Sequence, residues 1–216
     1  MRVVIVGGHG QIARHLLPLL LARGDTVVPL VRRQEHADEL ALAGATPAML
    51  DLEAADVDGY AAAFARADAV VFAAGAGPDG DVARKRTVDL EGSTKSVDGA
   101  RRAGVQRFVQ VSAIGVDTPV GPDAGEVWAA YVTAKRDADR YLRASGLDWT
   151  IVRPGRLTDD PGTARVALAE TVEPGDVPRA DVALVLAAVL AEPSTVGRQL
   201  ELVSGHLRVD EAIAAL

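Results

Sequence analysis

The start of the chain places a short apolar run, a glycine-rich turn and a helical repeat in immediate succession. The run from Val3 to Val6 is rich in β-branched residues and too short for a helix, which predicts one buried parallel strand. From Gln11 onwards the apolar residues recur at helical spacing. A strand that passes through glycines into a helix is the opening of a βαβ unit, so this stretch constrains the whole fold.

The glycine turn carries a prediction about ligands as well as about backbone. Glycine permits positive φ in a tight turn and lets the backbone approach a pyrophosphate closely. The N–H groups at the start of the following helix would then face the anion. The pattern predicts a pyrophosphate site at Gly7, Gly8, Gly10, Gln11 and Ile12. A glycine-rich turn without a ligand is the alternative.

The second predicted strand, Thr26 to Val31, is followed directly by Arg32 and Arg33. In a sheet of this kind an acidic residue here binds the 2′-hydroxyl of NAD, whereas arginine accommodates the 2′-phosphate of NADP. The arginines therefore favour NADP over NAD, with a solvated pair on a surface turn as the alternative. Pro29 is awkward inside a central strand, so we expect local distortion there.

Strands and helices alternate through residue 155, which is typical of an α/β fold with a doubly wound parallel sheet, the Rossmann fold. We predict one domain, 1–216, in which residues 156–216 form a small extension on the substrate side. The further strands are predicted at 45–50, 69–74, 106–112, 147–152, 164–168 and 199–203, and the later helices at 35–43, 53–67, 81–104, 126–145, 181–191 and 209–216. Segments 113–125 and 156–177 are predicted to be mostly loop.

Composition narrows the class of protein. The 216 residues carry a formal net charge of −7, which argues against binding to nucleic acid or to an anionic membrane. Cysteine is absent, and neither a signal peptide nor a long apolar segment is evident. We expect a cytoplasmic protein, a monomer or homodimer, that acts on a small molecule. The histidines do not cluster with acids, so no metal is assigned, and His9 is taken as a phosphate neighbour or as solvated.

A second group of residues is a candidate for catalysis. Tyr131 and Lys135 are four residues apart on a predicted helix, so both lie on one face. A nearby ammonium lowers the pKa of a phenol, and such a tyrosine can donate a proton to a carbonyl oxygen. Ser112, at the carboxyl end of the fifth strand, can hydrogen-bond the same oxygen. The alternatives are a tyrosine and a solvated lysine on an amphipathic helix, and a serine that caps a strand end.

Two further positions flank the predicted cleft. Small residues follow the fourth strand and would let the backbone pass close to a flat ligand. Asp51 could accept a hydrogen bond from an adenine amino group, and its alternative role is a helix N-cap.

Four stretches together resemble the short-chain dehydrogenase/reductase superfamily, in particular its atypical single-domain NAD(P)H-binding branch, which includes biliverdin reductase B-like, flavin reductase-like and NmrA-like members. They are GGHGQIARHLL, FVQVSAIGVD, YVTAKRDADRYLRASGLDWTIVRPGRLTDDPGT and RADVALVLAAVLAEP. The resemblance implies a role for each part of the site. For the pyrophosphate and the adenosine half of the cofactor, it implies that the pyrophosphate is held by Gly7, Gly10, Gln11 and Ile12 beside His9, that the 2′-phosphate is bound by Arg32, that the adenine is flanked by Asp51 and Leu52, and that Ala73, Ala74 and Gly75 pass under the ribose. For the nicotinamide half, it implies that Lys135 holds the ribose and that Pro154 and Gly155 lie against the nicotinamide.

The preferred interpretation is an NADP(H)-dependent oxidoreductase that reduces a small carbonyl, quinone or flavin-like acceptor, with Tyr131 as proton donor, Lys135 as its charged neighbour and Ser112 as a donor that orients the oxygen. Many atypical members lack the tyrosine and lysine, so a cofactor-binding sensor or scaffold is the alternative. A third interpretation is a nucleotide-sugar epimerase or dehydratase of the same superfamily. It is disfavoured because those enzymes carry a larger carboxyl-terminal substrate lobe than the predicted extension.

Overall fold

The structure, a computed structural model, describes residues 1–77, 81–121 and 123–216. The strands are β1 (Arg2–Val6), β2 (Thr26–Val31), β3 (Ala48–Met49), β4 (Ala69–Phe72), β5 (Arg107–Val111), β6 (Asp148–Pro154), β7 (Arg156–Thr158), β8 (Arg165–Ala169), β9 (Asp176–Pro178), β10 (Arg198–Ser204) and β11 (Leu207–Arg208). One sheet has nine strands in the order β11-β8-β10-β6-β5-β4-β1-β2-β3, and β7 pairs with β9 in a separate sheet.

Helices connect the strands and cover the large sheet. They are α1 (Gln11–Ala22), α2 (Gln34–Leu42), α3 (Val57–Ala63), α4 (Val82–Arg84), α5 (Gly92–Ala103), α6 (Glu126–Arg143), α7 (Arg179–Ala191) and α8 (Val209–Ala214). A π-helical segment, Lys85–Glu91, joins α4 to α5, and a 3₁₀ turn spans Pro193–Thr195.

The sheet is buried on both faces, as its apolar strands predict. Alternate residues of β1 enter two different cores: Val3 joins the core that contains α1 and α7, whereas Val4 joins the core that contains Val97 of α5 and Leu142 of α6. Strands β3, β2, β1, β4, β5, β6 and β10 pair in parallel. The predicted doubly wound α/β fold is confirmed.

Pro29 does not interrupt the second strand. It lies opposite Ile5 in the register of β1 and β2, and the pairing of β2 with β3 begins only at Leu30. The third strand is correspondingly reduced from the predicted 45–50 to two residues. The expected distortion is therefore absent from β2 itself, and on its β3 side the amide of Thr46 still donates to the carbonyl of Val27, ahead of Pro29.

The carboxyl-terminal extension contains more strand than the sequence predicts. Strand β10 pairs in parallel with β6 and antiparallel with β8, so the extension continues the main sheet. The chain also approaches itself at Gly155, where an added Cβ would lie 2.0 Å from the carbonyl oxygen of Gly175. That contact starts the small β7–β9 sheet, in a region predicted to be mostly loop. The loop 113–125 contains Pro122, which lies outside the described residues.

The long helix predicted at 81–104 is divided by the π-helical segment. Such segments insert an extra residue into a turn and are frequent at functional sites. In this chain the segment buries Lys85 and Asp89. In the described part of the chain, no helix is both long and apolar enough to cross a membrane.

Candidate functional site

A cavity of about 780 Å³ lies where β1, β2, β4 and β5 end at their carboxyl termini, the edge at which open parallel sheets bind ligands. Its wall brings together most of the residues that the sequence predicts for the site. They are Gly7, His9, Gly10, Gln11, Ile12, Arg32, Arg33, Asp51, Leu52, Ala73, Ala74, Gly75, Ser112, Tyr131 and Lys135.

The glycine turn is shaped by close backbone approach. Gly7 has φ of +80°, and a Cβ there would lie 2.7 Å from the Cα of Ala74. The N-cap of α1 is Gly10, which has no side chain with which to cap the first amides of the helix. These amides and the positive end of the helix face the cavity wall, so the turn fits the pyrophosphate of a dinucleotide.

Three predicted cofactor residues lie outside the cavity wall, all of them in the described chain. Gly8 instead packs under β2, since an added Cβ would lie 2.4 Å from the Cβ of Pro29. Pro154 ends β6 and its carbonyl accepts from the amide of Ile114. Gly155 is held against Gly175, as described above. Their contacts with the cofactor stay predictions.

The arginines after β2 reach the cavity as predicted. Arg32 lies 3.8 Å from Glu53, which also accepts a hydrogen bond from Thr87. Arg33 donates to Nε2 of His36 at 2.6 Å. Because a guanidinium has only donors, His36 must present an unprotonated Nε2 in this arrangement. His36, which also lines the cavity, was not a predicted site residue.

His9 stacks on the ring of His36, with centroids 3.6 Å apart. Its Nε2 lies 2.9 Å from Glu39, and this hydrogen bond holds the pKa of the Glu39 carboxyl below its ordinary value. The two rings thus form part of the wall beside the glycine turn. Within the described residues, no group of three or more His, Asp or Glu is arranged to hold a metal ion.

Asp51 and the residues that follow β4 line the cavity, and their contacts with adenine and ribose stay predictions. Asp51 accepts a hydrogen bond from the amide of Glu53 at 3.0 Å, whereas the N-cap of α3 is Asp56. The alternative role of Asp51 as a helix N-cap is therefore wrong. Its side chain instead closes a turn at the cavity wall.

Lys135 is buried in the cavity wall with a charged partner. Its Nζ lies 3.1 Å from Oδ1 of Asp89 and donates to the carbonyl of Val111 at 3.2 Å. The second oxygen of Asp89 accepts from the amide of Ala76 at 3.1 Å. Burial alone would lower the pKa of Lys135, but the Asp89 carboxylate raises it above its ordinary value. The lysine is therefore held as a cation.

Tyr131 stands beside this ion pair. Its ring centroid is 6.0 Å from Nζ of Lys135 and 5.8 Å from Nζ of Lys85. Trp128, which is about half exposed, lies 5.4 Å away, ring to ring. Among the described residues, none exchanges a hydrogen bond with the Tyr131 hydroxyl, so its proton is free for a ligand.

The expected lowering of the Tyr131 pKa is wrong in its net sign. Burial raises the pKa of the phenol; Lys135 lowers it, as predicted; Asp89 and Asp139 raise it again. The result is a pKa above the ordinary value, chiefly because the phenol is buried, and because Asp89 and Asp139 oppose the effect of Lys135. The phenol is therefore protonated at neutral pH.

Ser112 is also placed differently from its predicted role. Its Oγ donates to Oδ2 of Asp139 at 2.8 Å, and the same carboxylate accepts from Gln110 and from two nitrogens of Arg153. A carboxylate that accepts on both oxygens offers no proton, so the serine must be the donor. Its only proton is thus engaged, and Ser112 can present only an acceptor to the cavity.

Arg153 joins this network to the loop after β5. Its Nη1 lies 2.6 Å from Asp117, while its own side chain is 3% exposed. Sequence reasoning did not single out Arg153, Asp139 or Asp89. The spacing of Asp139, four residues after Lys135 and eight after Tyr131, places it on the same face of α6 and could have indicated it.

Fold and site together define a nucleotide-binding Rossmann domain with a cleft for a dinucleotide. Comparison with known proteins gives the same result, since the model of a family described as NAD(P)H-binding matches residues 7–193. The chain belongs to this family, and the predicted resemblance to atypical short-chain dehydrogenases/reductases is confirmed.

Three relatives illustrate the range of the similarity. YhfK of Bacillus subtilis, described as an uncharacterized sugar epimerase, is 36% identical over 100% of both chains. A Bacillus halodurans structure, provisionally named an NAD-dependent epimerase/dehydratase, is 36% identical with a TM-score of 0.92, and the match covers 100% of both chains. ChuY, described as an anaerobillin reductase from Escherichia coli, is 26% identical with a TM-score of 0.78, over 96% of this chain and 99% of its own.

Proposed function

We propose that this protein is an NADP(H)-dependent reductase of a small carbonyl, quinone or flavin-like acceptor. The observation that carries the proposal is a protonated Tyr131 and a buried, charged Lys135 in the same cavity as the glycine turn. A sensor needs the turn but has no use for a phenol held beside an ammonium. The reductase name of ChuY supports the same class of reaction.

The bound dinucleotide would supply a hydride to the acceptor. The chain's own contribution is the proton: Tyr131 donates it to the acceptor oxygen as negative charge develops there. Hydride addition to a carbonyl gives an alkoxide, which is far more basic than a phenolate, so for a carbonyl acceptor the transfer stays favourable even with the raised pKa of Tyr131. The ammonium of Lys135 then stabilises the phenolate that remains.

The preference for NADP rests on the end of β2. Arg32 and Arg33 line the cavity at the position where arginine accommodates a 2′-phosphate. The nearest carboxylate is Glu53, 3.8 Å from Arg32, which leaves the guanidinium able to bind a second anion. These contacts support NADP rather than NAD as the cofactor.

The acceptor is proposed to be planar. The indole of Trp128 is 53% exposed and adjoins the Tyr131 ring, which gives an apolar surface next to the proton donor. Ser112 adds an acceptor and not a donor, so it would bind an N–H or O–H group. A carbonyl oxygen would therefore receive its hydrogen bond from Tyr131 alone.

The proposal is tested by NADPH consumption with a panel of carbonyls, quinones and flavins, using wild-type protein and Tyr131→Phe. Phenylalanine keeps the ring against Trp128 and removes only the hydroxyl. We expect carbonyl reduction to fall by on the order of a hundredfold or more, while NADPH affinity changes little. Tight NADPH binding with no turnover of any acceptor would instead favour the sensor.

A further inference from the structure

The cavity wall includes one arginine from the carboxyl-terminal extension. Arg179 is the first residue of α7, and its side chain is 19% exposed. Helices α1 and α7 pack together and run in the same direction, since Arg23 after the end of α1 donates to the carbonyl of Ala187 near the end of α7. The start of α7 therefore lies beside the start of α1, where the glycine turn faces the cavity.

The guanidinium of Arg179 shares an anion with α1. Its Nη1 donates to Oδ1 of Asp159 at 2.8 Å, and Nε2 of Gln11 lies 3.5 Å from the same oxygen. Gln11 is the first residue of α1 and lines the cavity together with Arg179. One negatively charged oxygen thus lies between the extension and the helix start that is predicted to bind pyrophosphate.

The carboxylate is the more weakly fixed partner in this arrangement. Asp159 is 71% exposed, outside the cavity wall, and it follows β7 in an irregular segment. An exposed ion pair of this kind contributes little, because water competes for both charges. A pyrophosphate carries more charge and accepts two parallel hydrogen bonds from one guanidinium, which favours it over a single carboxylate oxygen.

We propose that Arg179 is a pyrophosphate-binding residue supplied by the extension, and that the dinucleotide replaces Asp159 as its partner. The inference rests on the dinucleotide site of the proposed function, but not on the acceptor or on the choice between NADP and NAD. The pyrophosphate is common to both cofactors. Arg179 therefore contributes equally to the affinity for both cofactors, whereas Arg32 contributes to the affinity for NADPH alone and so to cofactor preference.

The experiment is an equilibrium titration of the full chain with NADPH and with NADH, for wild type and Arg179→Gln. Loss of a charge-assisted hydrogen bond predicts an affinity lower by about tenfold to a hundredfold, equally for both cofactors. The matched control is Arg156→Gln. Arg156 also pairs with an aspartate of the extension, Asp176, but it is 74% exposed and outside the cavity wall. This control should bind both cofactors as wild type does.

The proposed replacement of Asp159 by the dinucleotide, as the partner of Arg179, makes a second prediction. Asp159→Asn removes the competing charge, so both cofactors should bind a few-fold more tightly. In the Arg179→Gln background the same substitution should have no effect, because there is no guanidinium left to release. A gain that persists there would show general repulsion of the cofactor by Asp159 and would overturn the exchange.

The outcomes separate this inference from the proposed function. Unchanged affinities in Arg179→Gln, in protein whose melting temperature is unaltered, would overturn the role of Arg179 and leave the reductase intact. Loss of NADPH binding alone would overturn the assignment to the shared pyrophosphate. If wild-type protein bound neither dinucleotide, both the inference and the proposed function would fail.

Discussion

Asp139→Ala should be one of the most destabilising single substitutions in this protein. The Asp139 side chain is 0% exposed, and it accepts hydrogen bonds from Gln110, Ser112 and Arg153, whose own side chain is 3% exposed. Removing one partner of a buried ion pair costs about 3–5 kcal/mol, because the other charge is left uncompensated. Arg153 keeps Asp117, so we expect the lower end, about 3 kcal/mol.

The assay is urea unfolding at neutral pH, followed by circular dichroism. With a slope of about 3 kcal/mol per molar urea, the midpoint should fall by roughly 1 M. The control is Asp117→Ala, which removes the other partner of Arg153. Because the Asp117 side chain is 50% exposed, its loss should cost no more than about 1 kcal/mol.

A double substitution tests the cause. Replacing Asp139 and Arg153 together by leucine and methionine removes both charges, so it should be less destabilising than Asp139→Ala despite altering more atoms. Equal losses for Asp139→Ala and Asp117→Ala would refute the reasoning from burial. A double variant less stable than Asp139→Ala would show that packing and not charge dominates.

Further predictions concern the glycine turn, the cofactor and acid stability. Gly8→Ala must displace Pro29, so it should cost about 1–3 kcal/mol in thermal unfolding, whereas Gly121→Ala, which meets open space, should be neutral. Arg32→Gln should weaken NADPH by about tenfold and leave NADH unchanged in the same titration; equal losses would contradict the 2′-phosphate role. Burial raises the pKa of Asp25, but the N-terminal ammonium and other partners lower it further, for a net decrease. Its stabilisation is therefore present above the unfolded value of about 3.9 and is lost as pH falls through the lower folded value. Asp25→Asn should flatten that part of an acid-unfolding curve, and an unchanged curve would exclude a contribution of Asp25 to the pH dependence of stability.

The parts of the site that the sequence predicts well depend on the local order of strands, turns and helices along the chain. Gly7 and Gly10 follow a strand and precede a helix, and Arg32 follows the next strand, so the carboxyl edge of the sheet gathers them without any knowledge of packing. Ser112 and Tyr131 reach the same cavity for this reason, although 18 residues lie between them.

The parts that sequence reasoning missed depend on contacts between distant segments. Asp89 compensates Lys135 from a π-helical segment, and no local pattern distinguishes that segment from a regular helix. Burial of the phenol, together with this compensation, reverses the expected direction of the shift in the Tyr131 pKa. The donor role expected of Ser112 fails for a similar reason, since the Ser112 hydroxyl donates its hydrogen bond to Asp139 of α6.

The extension shows the same limit. Its strands are short, and the close approach of Gly155 to Gly175 that creates the β7–β9 sheet cannot be seen in either segment alone. The role at the nicotinamide that the resemblance implies for Pro154 and Gly155 stays a prediction. Arg179 reaches the cavity only because α7 packs along α1.

The most direct test of the account is the ionisation of Tyr131, measured as tyrosinate absorbance against pH in wild type minus Tyr131→Phe. A proton donor must be a neutral phenol, and burial with Asp89 nearby raises the pKa of Tyr131 despite Lys135. We predict that the difference signal appears only above the ordinary tyrosine value of about 10. Ionisation near neutral pH would contradict the account, because Tyr131 would then be a phenolate base beside an uncompensated lysine.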